Sequence, residues 1–401
     1  MKARQLLPLF ICNATPLTIG MGLFPLLPSY AAHFGATNTL VGLYLAIVSI
    51  ASATSVSLTS WLGARFAPRK VFLVGSLLGP PSLWLLGQAT TLWQVVLLTA
   101  MAWFSGGITL TLLSVYIGLA ADKRSRGRTF SVMFLAYPVG AIVGGAIIGQ
   151  VLAWSGYTMM FTILGLFWMV QPVLGWATLR QWPSARVVHV EPKTTVAPVG
   201  RTFAALLFSS LFALLAMNSG RLSTPLAMQN LAFAPSTIAS TATVAGLFTI
   251  PVVLFLGTLS DRLGRARSLI LTYVLAAFAI GTLLVATQLW HFWVAATLLF
   301  VAWCASRSIA SALAADILQP QQLNRDLARL NTMDGVASII GFAGTGFVLD
   351  TLGGTALYLL GLVLIGMAIF AQVQRQTHKT APITSTFTSL SAVASGEPPI
   401  S

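Results

Sequence analysis

Gly257-Thr-Leu-Ser-Asp261-Arg262-Leu-Gly264-Arg265-Ala-Arg267 is a short charged turn set between two apolar runs, residues 237–260 before it and 267–287 after it. Each run has the length, about twenty residues, that a helix needs to cross the hydrocarbon core of a bilayer. Cutting the rest of the chain at charges, Pro/Gly clusters and polar turns repeats the pattern. The expected spans are 8–31, 38–62, 70–88, 92–120, 129–152 and 157–179, then 203–226, 237–260, 267–287, 291–315, 330–350 and 354–373. That divides the 401 residues into a six-helix bundle (1–179), a linker with three prolines (180–202), a second six-helix bundle (203–373) and a Ser/Thr/Pro-rich disordered tail (374–401).

Composition agrees with a bilayer as the solvent. The chain is 56% apolar and 7% charged, with a mean hydropathy of +0.86. Soluble domains carry about 25% charged residues, and eight acids cannot solvate a globule of this size. The expected fold class is therefore an all-α membrane protein of twelve spans.

The net charge of +14 raises the question of nucleic acid, but the positions of the cations answer it. Of the 22 Lys and Arg, 20 fall in loops on one side of the alternating topology: around residues 2–4, 65–70, 123–128, 180–201, 262–267, 325–329 and 375–379. The opposite loops hold none. Excess Lys and Arg mark the cytoplasmic side, so both termini and the linker are expected in the cytoplasm. The charge is explained by topology, and no nucleic-acid partner is expected. The partners are the lipid bilayer and a small-molecule substrate, and a monomer is expected.

The two halves align at an offset of 197 residues. Pro28 matches Pro225, Arg65 matches Arg262, and Gly144, Gly149 and Gly156 match Gly341, Gly346 and Gly353. Near the end of the fourth span the offset is 194, where Ala120-Ala121-Asp122 meets Ala314-Ala315-Asp316. Six-helix halves in the same orientation form a parallel repeat, and such halves typically rock about a central site.

The turn at 257–267 resembles the signature loop of the major facilitator superfamily, Gly-x-Leu-x-Asp-Arg-x-Gly-Arg-Arg, and lies between the eighth and ninth spans, where that family carries its second copy. Ala121-Asp122 with Arg126-Gly127-Arg128 also resembles the family. The resemblance implies twelve spans in two pseudosymmetric bundles and a latch, made of Gly257, Asp261, Arg262, Gly264, Arg265 and Arg267, that breaks and reforms as the cytoplasmic side opens. Asp261 can face the positive N-terminal end of a helix, with the start of the fifth span near Thr129 as candidate. A plain turn with topology-setting cations is the other reading. The first-half copy departs from the pattern: Ala64, Ala67 and Pro68 stand where an acid, a glycine and an arginine belong. Any latch is one-sided.

In the fifth span, Ala136-x3-Gly140-Ala141-x2-Gly144-Gly145 is similar to a pattern of proton-coupled exporters in that superfamily, which points to the bacterial drug or sugar efflux permease branch. A small-residue face for close helix packing is the alternative. Neither Ala102 nor Trp103 supplies the arginine those exporters carry in the fourth span.

Three ionisable residues remain inside spans: Arg221, Arg307 and Asp334. Each costs at least about 2.5–3.5 kcal/mol at mid-membrane and normally faces a cavity or a partner. Arg307 lies nine residues before Asp316, about 13 Å deep at 1.5 Å per residue. Asp334 is about a turn inside the next span from the same side, so the two can pair. The pair either borders the cavity, with Asp334 carrying a proton, or is structural. Arg221, beside Ser219, Ser223 and Thr224, either snorkels to the outer interface or binds an anionic substrate group. Asn13, Thr15 and Asn218 are candidate substrate contacts, since the resembled family lines its cavity with the first and seventh spans.

An enzyme needs converging acids, His or Cys, and the four His and two Cys are scattered. No metal site, disulfide or cofactor is indicated, apart from a coupling proton. No Gly-rich loop with Lys-Ser/Thr supports ATP-driven transport. The expectation is a secondary carrier in a bacterial inner membrane: a proton-coupled efflux permease, or a facilitator or importer of a neutral or anionic metabolite. Outside that class, a non-transporting sensor is the rival.

Overall fold

A chain surrounded by lipid must satisfy every backbone N–H and C=O internally, which leaves helices or closed barrels. The computed structural model describes residues 3–120, 126–179, 200–318 and 320–377, and among these there is helix and no strand. The helices are α1 (Ala3–Leu23), α2 (Leu27–Ala32), α3 (Asn38–Arg65), α4 (Pro68–Leu86), α5 (Leu92–Ala120), α6 (Arg126–Phe134), α7 (Ala136–Trp168) and α8 (Val170–Thr178), then α9 (Arg201–Asn230), α10 (Pro235–Leu263), α11 (Arg265–Leu284), α12 (Leu289–Ile317), α13 (Pro320–Thr351) and α14 (Gly353–Thr377).

Ten described segments are long and apolar enough to cross a membrane. One of them, Thr129–Thr178, is 50 residues long and holds two crossings that reverse at Gly156, whose φ of 73° suits a residue without a Cβ. With α4, whose basic start and internal Pro80 and Pro81 depress its apolar character, the crossings number twelve. The fold is two pseudosymmetric six-helix bundles.

The differences from the expected spans have local causes. The first span breaks into α1 and α2 around Phe24-Pro25-Leu26, and the fifth breaks at Leu135, three residues before Pro138, because Pro cannot continue the hydrogen-bond ladder. α13 starts at Pro320, ten residues before the expected span. Cutting at charges finds where lipid begins, not where helix begins, and Arg329 donates to Asp326 at 2.9 Å within that non-apolar turn. At the other end, α14 runs to Thr377, into the expected tail, and buried Arg375 donates to Gln372 there at 2.9 Å. α9 begins at Arg201, inside the expected linker. Residues 180–199 of the linker, the tail beyond Thr377, and Ala121-Asp122 lie outside the described residues.

Left-handed backbone repeats with the sequence. Gly35 (φ 77°) and Ala232 (φ 59°) are 197 residues apart, as are Gly156 and Gly353 (φ 82°). These positions all turn the chain on the face whose loops lack Lys and Arg, called here the neutral face; the other is the basic face. Gly264 also has positive φ (88°), whereas Ala67, its counterpart, has φ −59°. The first-half turn is thus changed in backbone as well as in sequence.

Large apolar side chains such as Leu166, Phe255 and Phe278 are exposed around the outside, where lipid rather than water would cover them. Trp84, Trp93, Trp154 and Trp290 are exposed near span ends, as an interfacial belt requires.

The bundles meet along two seams, α3 against α13 and α7 against α10. Both depend on residues without side chains. A Cβ on Gly145 would stand 2.7 Å from Thr243 N, and one on Gly246 would stand 2.6 Å from Pro138 O. Gly42 lies against Phe342 and Gly346, and Gly346 against Asn38 and Thr39. Gly149 abuts Ser236, the pseudosymmetric counterpart of the Gly346–Thr39 contact. These approaches lie toward the neutral face. Gly63 and Gly257, toward the basic face, have open space around them. The close glycine approaches between the halves thus lie toward the neutral face. Within the first half, Gly140 and Gly144 let α7 lie against Leu17, Thr18 and Gly22 of α1. Gly140, Gly144 and Gly145 thus form one small-residue face serving two neighbours.

Candidate functional site

α12 and α13 place the two charges expected to pair side by side. Arg307 Nη1 donates to Asp334 Oδ2, and both side chains are partly open, 30% and 23% exposed. The other carboxylate oxygen, Oδ1, is buried without a hydrogen-bond partner among the described residues. The pair lines a cavity of about 330 Å³ together with Phe134, Ser210, Tyr273 and Asn331. Toward the basic-face end of the same helix, Ser308, Ala310 and Ser311 continue the wall.

Arg221 does not snorkel. Its guanidinium carbon lies 4.8 Å from the centroid of Phe24 and 4.7 Å from that of Trp303, and Nη1 makes a long contact of 3.4 Å to Asn218 Oδ1. Nine residues separate it from Asn230 at the end of α9, a depth of about 13 Å that the side chain does not span. It borders a second, smaller cavity of about 60 Å³ with Met21, Phe24, Thr224, Thr241, Leu299 and Phe300.

Trp303 connects the two cations, because Arg307 is also 4.9 Å from its ring centroid. Along α12, Ala296, Leu299 and Phe300 face the smaller cavity and Ser306 to Ser311 the larger, so Trp303 sits one turn from each. Phe300 stacks on it at 11° between planes, and Tyr137 of α7 meets it at 5.9 Å. A guanidinium over an indole is held by the ring quadrupole, most strongly when desolvated. Asn218 extends the cluster by donating to Ser338 Oγ at 3.2 Å, and Ser338 in turn donates to Asp334 O at 2.8 Å.

The structure therefore gathers Arg221, Asn218, Arg307 and Asp334 around Trp303. It leaves out Asn13 and Thr15. Asn13 Nδ2 donates to Met133 O (3.0 Å) beside the α6–α7 break, and Thr15 Oγ1 donates to Ile11 O (2.8 Å) within its own helix. Both are buried in the first bundle.

At the basic face, Gly264 makes the turn between α10 and α11, as its positive φ requires. Arg265 pairs with Asp316 at 2.6 Å and donates to Ala312 O at the end of α12, rather than pairing with Asp261. Asp261, Arg262 and Arg267 are exposed. Asp261 makes no ion pair among the described residues.

The neutral face carries a polar clasp not anticipated from sequence. Asp350, in the last turn of α13, accepts from Asn38 Nδ2 (2.8 Å), Thr39 N (2.7 Å) and Thr39 Oγ1 (2.6 Å) at the start of α3. An acid in a last turn is unfavourably placed in its own helix dipole but well placed at the N-terminus of another. That misfit is the sequence signal for Asp350. For Trp303 the signal was the arginines themselves, which need an aromatic or acidic partner when buried.

The model of the Major Facilitator Superfamily matches residues 9–220 and again 202–394. The chain belongs to the major facilitator superfamily. Solved structures of superfamily transporters share its fold. A variant of the nucleoside transporter NupG superposes with a TM-score of 0.76 at 14% identity, covering 93% of this chain and 99% of that one. A POT family transporter in complex with 5-aminolevulinic acid gives 0.78 at 11% identity, covering 93% and 96%. The POT family transporter PepTSo gives 0.74 at 12%, covering 94% and 98%. No curated protein matches the chain in sequence. As a superfamily member, this chain is a multi-pass membrane transporter.

Proposed function

We propose that this transporter is a proton-coupled secondary carrier that exports a small solute by alternating access, acting as a monomer in a bacterial inner membrane. The basic face is taken as cytoplasmic, from the loop cations, and the conformation is read as closed on the opposite side, where the glycine approaches and the Asp350 clasp lie. The observation that carries the coupling is the Arg307–Asp334 pair on the wall of the larger cavity, with Asp334 Oδ1 buried and unpartnered. In this state Arg307 satisfies one carboxylate oxygen. Motion of α12 against α13 would release Asp334 to accept a proton. Export rests on the likeness of the 136–145 segment to the exporter pattern.

A second reading, passage or uptake of a neutral or anionic metabolite, is favoured by the cluster's two guanidinium groups against one carboxylate. Flux of radiolabelled solutes into proteoliposomes, with a proton gradient imposed and then collapsed, tests the carrier. Flux driven by the gradient is expected, and lost in Asp334→Asn. Asp334→Asn transport with wild-type pH dependence would remove the proton role. No flux of any solute class would favour a sensor.

A further inference from the structure

Of the three charges around Trp303, two neutralise each other and one does not. Arg221 has five N–H donors, and the structure gives it one long hydrogen bond, to the neutral Asn218. Phe24 and Trp303 hold the guanidinium but offer no acceptor in its plane. No described acid pairs with it. An arginine this deep without a carboxylate is expensive, and membrane proteins keep such groups for function. What remains open beside Arg221 is the smaller cavity, apolar at Met21, Leu299 and Phe300, while the hydroxyls of Thr224 and Thr241 on its wall already donate to Gly220 O and Ile238 O of their own helices.

We propose that Arg221 anchors the carboxylate of the transported solute, and that the solute is a short aliphatic monocarboxylate whose apolar end packs on Met21, Leu299 and Phe300. The planar guanidinium fork matches a carboxylate bidentately. The space beside the guanidinium, about 60 Å³, where one water needs at least about 10–15 Å³ on the same measure, accommodates roughly four to six heavy atoms. That range runs from acetate to butyrate. The identity of the solute rests on the carrier reading above; the anion site itself does not.

Binding is the measurement of choice, because the protonated forms of short acids cross lipid unaided and blur flux. The purified full-length protein at pH 7.5 and constant ionic strength is titrated with acetate, propionate and butyrate, and in parallel with the matching amides and alkylammonium salts. Thermal unfolding is the readout. Saturable stabilisation by at least one carboxylate, with no effect of its amide, is expected. Arg221→Gln should weaken that binding at least tenfold, and Arg221→Lys, which keeps the charge without the fork, by less. Met21→Ala, a milder change that shortens the apolar wall and leaves Arg221 in place, should weaken butyrate more than acetate and guards against misfolding of the arginine variants. Stabilisation by amides equal to that by acids, undiminished binding in Arg221→Gln, or no carboxylate binding at all would each overturn the proposal. Carboxylate binding without flux of any solute would instead overturn the carrier reading and leave the anion site standing.

Discussion

The clasp at the neutral face makes a quantitative prediction. Asp350 joins the two halves through three hydrogen bonds to the first turn of α3, and parting of α3 from α13 at that face would break them. Removing a helix N-cap acceptor costs about 0.5–2 kcal/mol. The contact is at an exposed rim, so the lower part of that range applies, about 1 kcal/mol, or about fivefold in the ratio of closed to open states. Asp350→Ala should shift the population by that factor toward opening at the neutral face. Asp350→Asn, which keeps an acceptor oxygen and loses the charge, should fall between. Spin labels at Gln88→Cys and Thr287→Cys, both exposed on that face and in opposite halves, report the gap by electron–electron double resonance. The native Cys12 and Cys304 are buried and do not compete for label. Unchanged distance distributions in Asp350→Ala, or a shift to shorter distances, would refute the reasoning.

The other seam should respond to added volume. In Gly246→Ala the new methyl meets Pro138 O and Ile142 N at 2.6 and 2.9 Å. Neither backbone atom can rotate away, so overpacking of about 1–3 kcal/mol should open the same label pair, and an unchanged distance would contradict it. Arg307→Ala strands Asp334. The pair is partly open to the cavity, so the loss should be about 2 kcal/mol, below that of a fully buried pair. The double variant with Asp334→Asn should regain most of it in thermal unfolding, whereas strictly additive losses would mean the two are not coupled. Arg265→Ala, whose ion pair with Asp316 is 34% and 51% exposed, should cost only a few tenths of a kcal/mol. A fall as large as that of Arg307→Ala would show that the turn at Gly264 does more than anchor.

The twelve crossings and the 197-residue repeat were readable because lipid imposes a length on each helix and a side on each cation. Helix starts in water carry no such imprint, which is why α13 begins ten residues early. The Arg307–Asp334 pair followed from depth alone, since both were counted from the same face. The direction of Arg221 did not. A helix that is apolar all round gives no periodicity from which to tell a cavity face from a lipid face, and α9 offers no such guide. Nor did the sequence tell that Asn13 and Thr15 donate to Met133 O and Ile11 O, because a polar residue in a membrane helix satisfies itself as readily on a neighbouring carbonyl as on a solute.

The two seams are related by the repeat, but among the described residues only one is bolted. Asp350 faces Thr39 across α3 and α13, while at the pseudosymmetric place across α7 and α10, Ala153 stands in for the acid and Ser236 for Thr39. An opening at the neutral face would therefore not be a symmetric parting of halves: the unbolted edge would yield before the bolted one. The edge that yields is the one bordering Arg221, since Ala141 of α7 and Thr241, Ala242 and Ala245 of α10 form a wall of the smaller cavity. With alanine rather than an acid at residue 153, a solute held there would leave by the α7–α10 side of the molecule.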